Sequence, residues 1–509
     1  MSTTNIMMII GLMIYCVFIC AEGMFQRKTT KTTEGLYTGN RGIGSFAMLC
    51  TLAMSMFSGL TYNGFPATAY RTGIGYMSPV GGAIGQSIII VILGYRLWLI
   101  GKKYGTSSPA EYFRERYYSE SFGYFVAILL CIFIIPYVAM QIIAVGDTIE
   151  VTTGIPYMVG VGVITLVIAI HCIAGGMSSV AFMAVFHAFL AYIALFMVFV
   201  GLITGFNGGL KGIVETTAAN PETAKLLTWA GTGANGWKGT LANATTGSFV
   251  VIAWPHIFTR TFANKGKKNF KAQAIGIPIM MIIAYTMLVM IGAVIAPAYV
   301  GPGFERPDRI MPVLATQYTP PFVAFMSMLC LCAFAISTAD SFFLVAAQFA
   351  TKDIYMHLKY TQGKPVDEKK GVLIGRIVML MVMVIMLFVV WVRPAGITDM
   401  AYKLASPFFA MVLPSLVFGL YWHKATREGA WAGTISGLVV TTVFTFFVKP
   451  PLGLSALIWG LGVNFVVFFL VSLCTKAPEN IGRKFIDEID DIVLSGNDFE
   501  EMVGRVIVE

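Results

Sequence analysis

LAMSMFSGLTYNGFPATAYRTGIG, residues 52–75, reads as a membrane helix that cannot stay continuous, because Ser55, Ser58, Gly59, Gly64 and Pro66 interrupt its apolar run. In lipid an unwound backbone survives only where protein or a water-filled cavity satisfies its amides and carbonyls. TTGSFVVIAWPHIFTR, residues 245–260, repeats the situation with Gly247 and then Trp254, Pro255 and His256. One such break is weak evidence, since proline kinks are common in membrane helices. Two of them, in the second and seventh apolar spans of the chain, are what two inverted five-helix repeats around a midplane site would produce.

The rest of the chain agrees with a membrane-embedded bundle. Of 509 residues, 57% are hydrophobic and 12% charged, against about 25% charged in an ordinary globular domain. Apolar runs of about 20 residues fall at 6-25, 44-70, 78-100, 122-147, 155-173, 178-206, 244-263, 272-299, 319-350, 371-395, 398-421, 428-447 and 453-475, which predicts thirteen transmembrane helices. The first is not a cleavable signal, because MSTTN carries no cation while Arg27, Lys28 and Lys31 follow the run. With the N-terminus outside and loops assigned alternately, nine of the 35 cations fall outside and 26 inside. Cytoplasmic loops carry such an excess, and the split explains a net charge of +9 with no nucleic-acid partner. The eight cysteines lie in or beside apolar runs and have no zinc-type or redox spacing. After residue 475 the composition changes, and FIDEIDDIV at 485–493 predicts an amphipathic cytosolic helix in a 476-509 tail. No signalling module fits in that length.

AFAISTADSFFLVAAQFATKDIY at 333–355 places Ser337, Thr338, Asp340 and Ser341 on successive turns of one helix. Hydroxyl and carbonyl oxygens suit a hard cation, and the open carbonyls of the 52–75 break could complete its shell. Hydroxyls that bond back to the preceding turn are the competing reading. Asp340 favours function, because a buried carboxylate in a membrane is rarely left without a functional partner.

At these residues the chain resembles the sodium/solute symporter family, which includes the proline, pantothenate, monocarboxylate, sialic-acid and sodium/galactose carriers. The matching segments are SGLTYNGFPATAYRTGIG, VAMQIIAVGDTIEVTTGIPY, GGM at 175–177, WPHIFTR, STADSFFLVAAQFATKDIY and GLYWHKATREGAWAGTISG. The resemblance implies an all-α polytopic membrane protein with a leucine-transporter-like five-plus-five inverted repeat. Residues 1-475 would form one transporter domain, with 44-206 and 244-421 as the repeats and 6-25 and 428-475 peripheral. It also implies a sodium site formed by the carbonyls of Met54, Phe57 and Phe334 and the hydroxyls of Ser337 and Thr338. A second cation or proton site in some members uses the next turn, here Asp340 and Ser341, with an Asp in a Thr-Asp-x-x-Gln motif. This chain has FMAVFHAF there, so Ala184 replaces the Asp and His187 the Gln. A second sodium is not expected on that basis, and Asp340 with His187 could carry a proton instead.

For the solute, Ser58, Asn63, Gln141, Trp254 and His256 are the expected binding residues, with Thr61, Tyr62, Tyr285 and Thr286 also near the midplane. Arg71 and Lys403 could meet an organic anion or simply snorkel to the outer surface. The expected function is sodium-coupled symport of a small organic anion or amino acid by alternating access, in the cell membrane. Sugar or pantothenate uptake stays open, as does a transport-like sensor or substrate-gated channel without coupling. No nucleophile-base pair or metal triad points to an enzyme. No cofactor is expected. The partners would be the solute, sodium and membrane lipid, with the monomer as the working unit.

Overall fold

The computed structural model describes residues 3–234, 236–393 and 396–495. Among the described residues the architecture is helical throughout, with a single isolated bridge between Ile43 and Asn264 and no strand. Ten helices among the described residues are long and apolar enough to cross a membrane, the first of them α1 (Asn5–Lys28). The second span is the pair α2 (Ser45–Met56) and α3 (Leu60–Thr72), bent by 55°. The others are α4 (Ile74–Tyr104), α6 (Glu120–Thr153), α7 (Tyr157–Thr204), α9 (Lys267–Val300), α10 (Pro321–Thr361), α11 (Glu368–Val392), α12 (Ile397–Tyr421), α13 (Arg427–Phe446) and α14 (Ala456–Cys474). Short helices α5 (Pro109–Arg116), α8 (Pro255–Phe262) and α15 (Glu488–Ser495) lie between or after them. Large apolar side chains are exposed on the outward faces, among them Ile14, Val17, Leu166, Phe196, Val384 and Phe388. Lipid is the solvent that tolerates such a surface.

The expected thirteen spans are not reached by this count, which stops at ten, or eleven with the bent pair. The difference lies in two places. The stretch 244–263 is split into pieces, each too short to count as a span: Thr245–Phe249 is a π-turn, Val251–Ala253 is a 3₁₀ turn, and α8 follows. The 48-residue α7 is one run in name only. Straight, it would measure about 72 Å, more than twice a hydrocarbon core of about 30 Å. At Gly176 the backbone turns to φ 59°, ψ −158°, and the His171 ring and the Ser179 hydroxyl come within 2.8 Å. In a straight helix those positions would be about 12 Å apart.

Gly176 occupies a backbone region essentially reserved for glycine, and an added Cβ would lie 2.8 Å from Thr30 Cγ2 and 2.9 Å from the Leu36 carbonyl oxygen. Gly176→Ala is therefore expected to destabilise the fold by about 1–3 kcal/mol. Gly162→Ala, where nothing lies within 4 Å, serves as the control. Equal melting temperatures of the two purified variants would show that the turn is not constrained.

Ten of the cations fall into two separate sets of contacts. Arg71, Arg306, Arg309 and Arg393 gather around Asp147, Glu150 and Asp308. Arg41, Arg96, Lys103, Arg114, Lys352 and Lys484 pair with Glu34, Asp490, Glu488, Glu120, Glu111 and Glu115. The second set includes the tail. There Phe485, Ile489 and Ile492 are buried, and Lys103 holds the Glu488 carboxyl below its ordinary range. Residues 496–509 of the tail lie outside the described residues. The eight cysteines are unpaired.

Candidate functional site

Both breaks foreseen from glycine and proline are present, and each has a local cause. Phe57 leaves the helix with φ −76°, ψ 135°, and the chain resumes through a π-turn at Leu60–Gly64. Trp254 is extended at φ −65°, ψ 124°, and α8 starts at Pro255. A residue before proline is steered away from helix, and proline suits the first helical position. A third irregular stretch lies in α12, where Met400–Ala405 is a π-turn and Ala410–Val412 a 3₁₀ turn. That one was not foreseen, although Ser406-Pro407 was its signal.

The first break meets α10 at the predicted hydroxyls. The Thr338 hydroxyl donates to the Phe57 carbonyl at 2.5 Å and lies 2.9 Å from the Phe334 carbonyl. Three oxygens from two helices thus converge at one buried point. Met54 is wholly buried on the last turn of α2, three positions before Phe57. The Ser337 hydroxyl lies on the next position and is 2.8 Å from His187 Nδ1, whose Nε2 is 2.9 Å from the Tyr15 hydroxyl.

Asp340 has a different partner from the one anticipated. His187 is occupied by Ser337 and Tyr15, and the Asp340 carboxylate instead lies 2.6 Å from His171 Nδ1. His171 Nε2 is 3.2 Å from Glu22, which also accepts from the Ser179 hydroxyl. His171 can donate to both carboxylates only when its ring carries both protons. Ser341 donates to the Ser337 carbonyl and accepts from the buried Arg260 guanidinium. Sequence reasoning missed Glu22, His171 and Arg260. Their signal was available, because any ionisable residue inside an apolar span is a functional candidate.

The expected solute residues surround the two breaks. Gln141 accepts the Gly59 amide at 2.6 Å and so caps the unwound backbone. Ser58 accepts from the Thr61 amide at 3.4 Å. His256 Nε2 lies 3.2 Å from the Ser55 carbonyl, joining the second break to the first. Its ring is 4.1 Å from that of Phe342 and 5.9 Å from that of Trp254, while Tyr137 lies 4.7 Å from Phe342 and 5.5 Å from Trp254. Asn63 Oδ1, Trp254 Nε1 and His256 Nδ1 are buried without a hydrogen-bond partner. Such groups cost free energy unless something supplies the missing bond. Tyr137 and Phe342 were not foreseen as part of this box. Tyr62 points elsewhere, its hydroxyl 2.7 Å from that of Ser327.

Of the two cations considered for an organic anion, Lys403 is exposed and pairs with Asp399 at 3.0 Å. Arg71 lies 3.7 Å from Asp308, whose carboxyl burial pushes upward against the pull of that guanidinium. Asp147, unremarked in the sequence, is fully buried and held by Arg306 at 3.5 Å, by Arg309 Nε at 3.0 Å and by Arg393 Nη1 at 3.2 Å.

Comparison with known proteins bears on the fold and the family. Sodium/proline symporters of Staphylococcus aureus are 24% identical over 500 residues, covering 94% of this chain and 95% of theirs. A sodium-coupled sialic acid symporter, solved in a substrate-bound outward-open state, superposes with a TM-score of 0.78 at 17% identity, covering 93% of this chain and 98% of that one. A transporter of the nucleobase-cation-symport-1 family in a closed conformation gives 0.57 at 13% identity, over 88% and 97%. These likenesses establish the fold. A profile of the sodium:solute symporter family matches residues 36–437. The chain therefore belongs to the sodium:solute symporter family, whose members are multi-pass, sodium-coupled transporters and not enzymes.

Proposed function

We propose that this chain couples sodium entry to uptake of a small organic solute by alternating access, through thirteen spans that include the inverted repeats 44-206 and 244-421. The reading rests on one observation above the others, the Thr338 hydroxyl bridging the Phe57 and Phe334 carbonyls. Sodium would take those carbonyls with that of Met54 and the Ser337 and Thr338 hydroxyls, replacing hydrogen bonds by ion contacts. The kink at Gly176 supports counting α7 as two crossings, of about 28 and 42 Å. With 244–263 counted as a broken span, thirteen results. The grouping of the cations agrees with an N-terminus outside and a cytosolic tail, in the cell membrane. Asp340 and Ser341 mark a second cation or proton site, with His171 in the place first given to His187. The working unit is the monomer, and no cofactor is required.

The solute would sit among Ser58, Asn63, Gln141, Trp254 and His256. Two unpartnered ring nitrogens within the aromatic cluster, Trp254 Nε1 and His256 Nδ1, and the unpartnered Asn63 Oδ1 favour a small solute with donors and acceptors of its own, and the proline-symporter relatives favour an amino acid. A small organic anion, a sugar and pantothenate belong in the same test panel. Asn63→Ala and His256→Ala should each raise the solute Km about 2- to 12-fold, the loss of one hydrogen bond, with sodium activation unchanged. Gln141→Ala should also lower turnover, because it strips the cap from Gly59. Wild-type kinetics in all three variants would misplace the cavity.

Labelled solutes offered to proteoliposomes under an inward sodium gradient test the whole reading, with proline first in the panel. Accumulation above equilibrium that collapses with the gradient is expected. Uptake that only equilibrates and ignores sodium would make the chain a channel, and binding without uptake a sensor.

A further inference from the structure

Where α1 ends and α11 begins, a cavity of about 1070 Å³ is lined by Arg27, Lys28, Lys31, Lys369 and Arg376, with Phe25 at its rim. Among the described residues no carboxylate lines it and none of the five cations has an ion-pair partner. The nearby acids are engaged elsewhere. Glu368 accepts from the Thr33 amide and hydroxyl, Asp367 caps α11 through the amides of Lys369 and Lys370, and Glu34 pairs with Arg41. Five like charges around one cavity repel one another unless an anion joins them. Part of the wall is built rather than loose: Arg376 is half-buried and donates from Nε to the Ile173 carbonyl at 3.1 Å and from Nη2 to Thr30 at 3.3 Å. Lys369, Val372 and Arg376 share one face of α11.

The surroundings identify the anion. Phe25 is 82% exposed beside the cations. Away from the cavity, the outward faces of both helices are apolar, with Ile14 and Val17 on α1 and Val384 and Phe388 on α11 all exposed. A headgroup in the cavity would leave its acyl chains lying along that lipid-facing surface. Basic pockets between membrane helices on the cytoplasmic side take anionic headgroups in this way. We propose that the cavity between the end of α1 and the start of α11 binds one anionic phospholipid, its phosphate held by Arg27, Lys28, Lys31, Lys369 and Arg376.

Native mass spectrometry of the full chain in detergent, titrated with phosphatidylglycerol or phosphatidylcholine, tests this directly. Phosphatidylglycerol should bind at least about tenfold more tightly. Arg27→Gln/Lys28→Gln/Lys31→Gln should weaken it roughly 100-fold, about fivefold per cation, and leave phosphatidylcholine unchanged. Equal retention of the two lipids by the wild type, or unaltered phosphatidylglycerol binding by the triple variant, overturns the proposal. So does displacement of the lipid by millimolar inorganic phosphate, which would mark a site for a soluble anion. A photoactivatable phosphatidylglycerol on the wild type removes any dependence on variant folding: it should label residues 24–31 or 369–376, and labelling confined to other segments contradicts the site.

Discussion

Ser337→Ala and Thr338→Ala are each expected to raise the sodium concentration for half-maximal uptake by roughly 5- to 150-fold, the equivalent of losing one buried ligand worth about 1–3 kcal/mol. The expectation follows from what an ion at this point must do. One sodium ion crossing 100 mV releases about 2.3 kcal/mol, and a tenfold gradient adds about 1.4. One-to-one coupling could thus sustain a solute gradient of roughly 500-fold. That energy reaches the solute only if sodium binds one conformation better than another. The proposed site between the broken second span and α10 would provide such a difference, since separating them would dismantle the shell. Thr338→Ser keeps the hydroxyl that lies 2.5 Å from the Phe57 carbonyl and should restore most of the sodium affinity. Sodium titrations of uptake measure both effects. A Ser337→Ala/Thr338→Ala double variant with wild-type sodium dependence would remove the site.

Asp147→Ala should lower the stability of the purified carrier by about 1–3 kcal/mol, the usual cost of removing a buried acceptor from its charged donors. Asp147 is fully buried while Arg306, Arg309 and Arg393 converge on it, so the truncation removes the acceptor that three partly exposed guanidinium groups share and, among the described residues, leaves only Arg309 with a second carboxylate, Glu150. The network ties α6 to the connection before α10 and to the end of α11, three segments far apart in the chain. Lys211→Ala is the contrast. Lys211 and Glu215 are 3.7 Å apart and 85% and 66% exposed, and surface pairs of that kind are worth about 0–1 kcal/mol. Thermal melts of the two variants in the same detergent should therefore differ sharply. Identical melting of Asp147→Ala and the wild type would mean that the arginines are already neutralised by other groups.

The legible part of this molecule was the part encoded by neighbours in sequence. Apolar runs marked the spans, glycine and proline marked both helix breaks, and the spacing of Ser337 and Thr338 placed two hydroxyls beside one turn, because each of these depends on residues within a few positions of one another. The partner of Asp340 was not legible. Two histidines were available at positions 171 and 187, and the choice of His171 depends on the kink at Gly176 and on α1 packing close enough for Glu22 and Tyr15 to reach the two rings. The first span, placed outside the repeats by the resemblance, contributes to the site for that reason. Gln141 was expected beside the solute, and only the packing of α6 against the break brought its amide oxygen to the Gly59 amide as well. The three arginines of Asp147 come from positions 159 to 246 residues away. The sequence alone determined where the backbone must cross the membrane and where it must open, since those are matters of local hydrophobicity and conformational freedom. The tertiary structure decided which buried charges meet, because in lipid each ionisable group is satisfied by whatever the packed helices bring within hydrogen-bonding distance, and no local pattern records that choice.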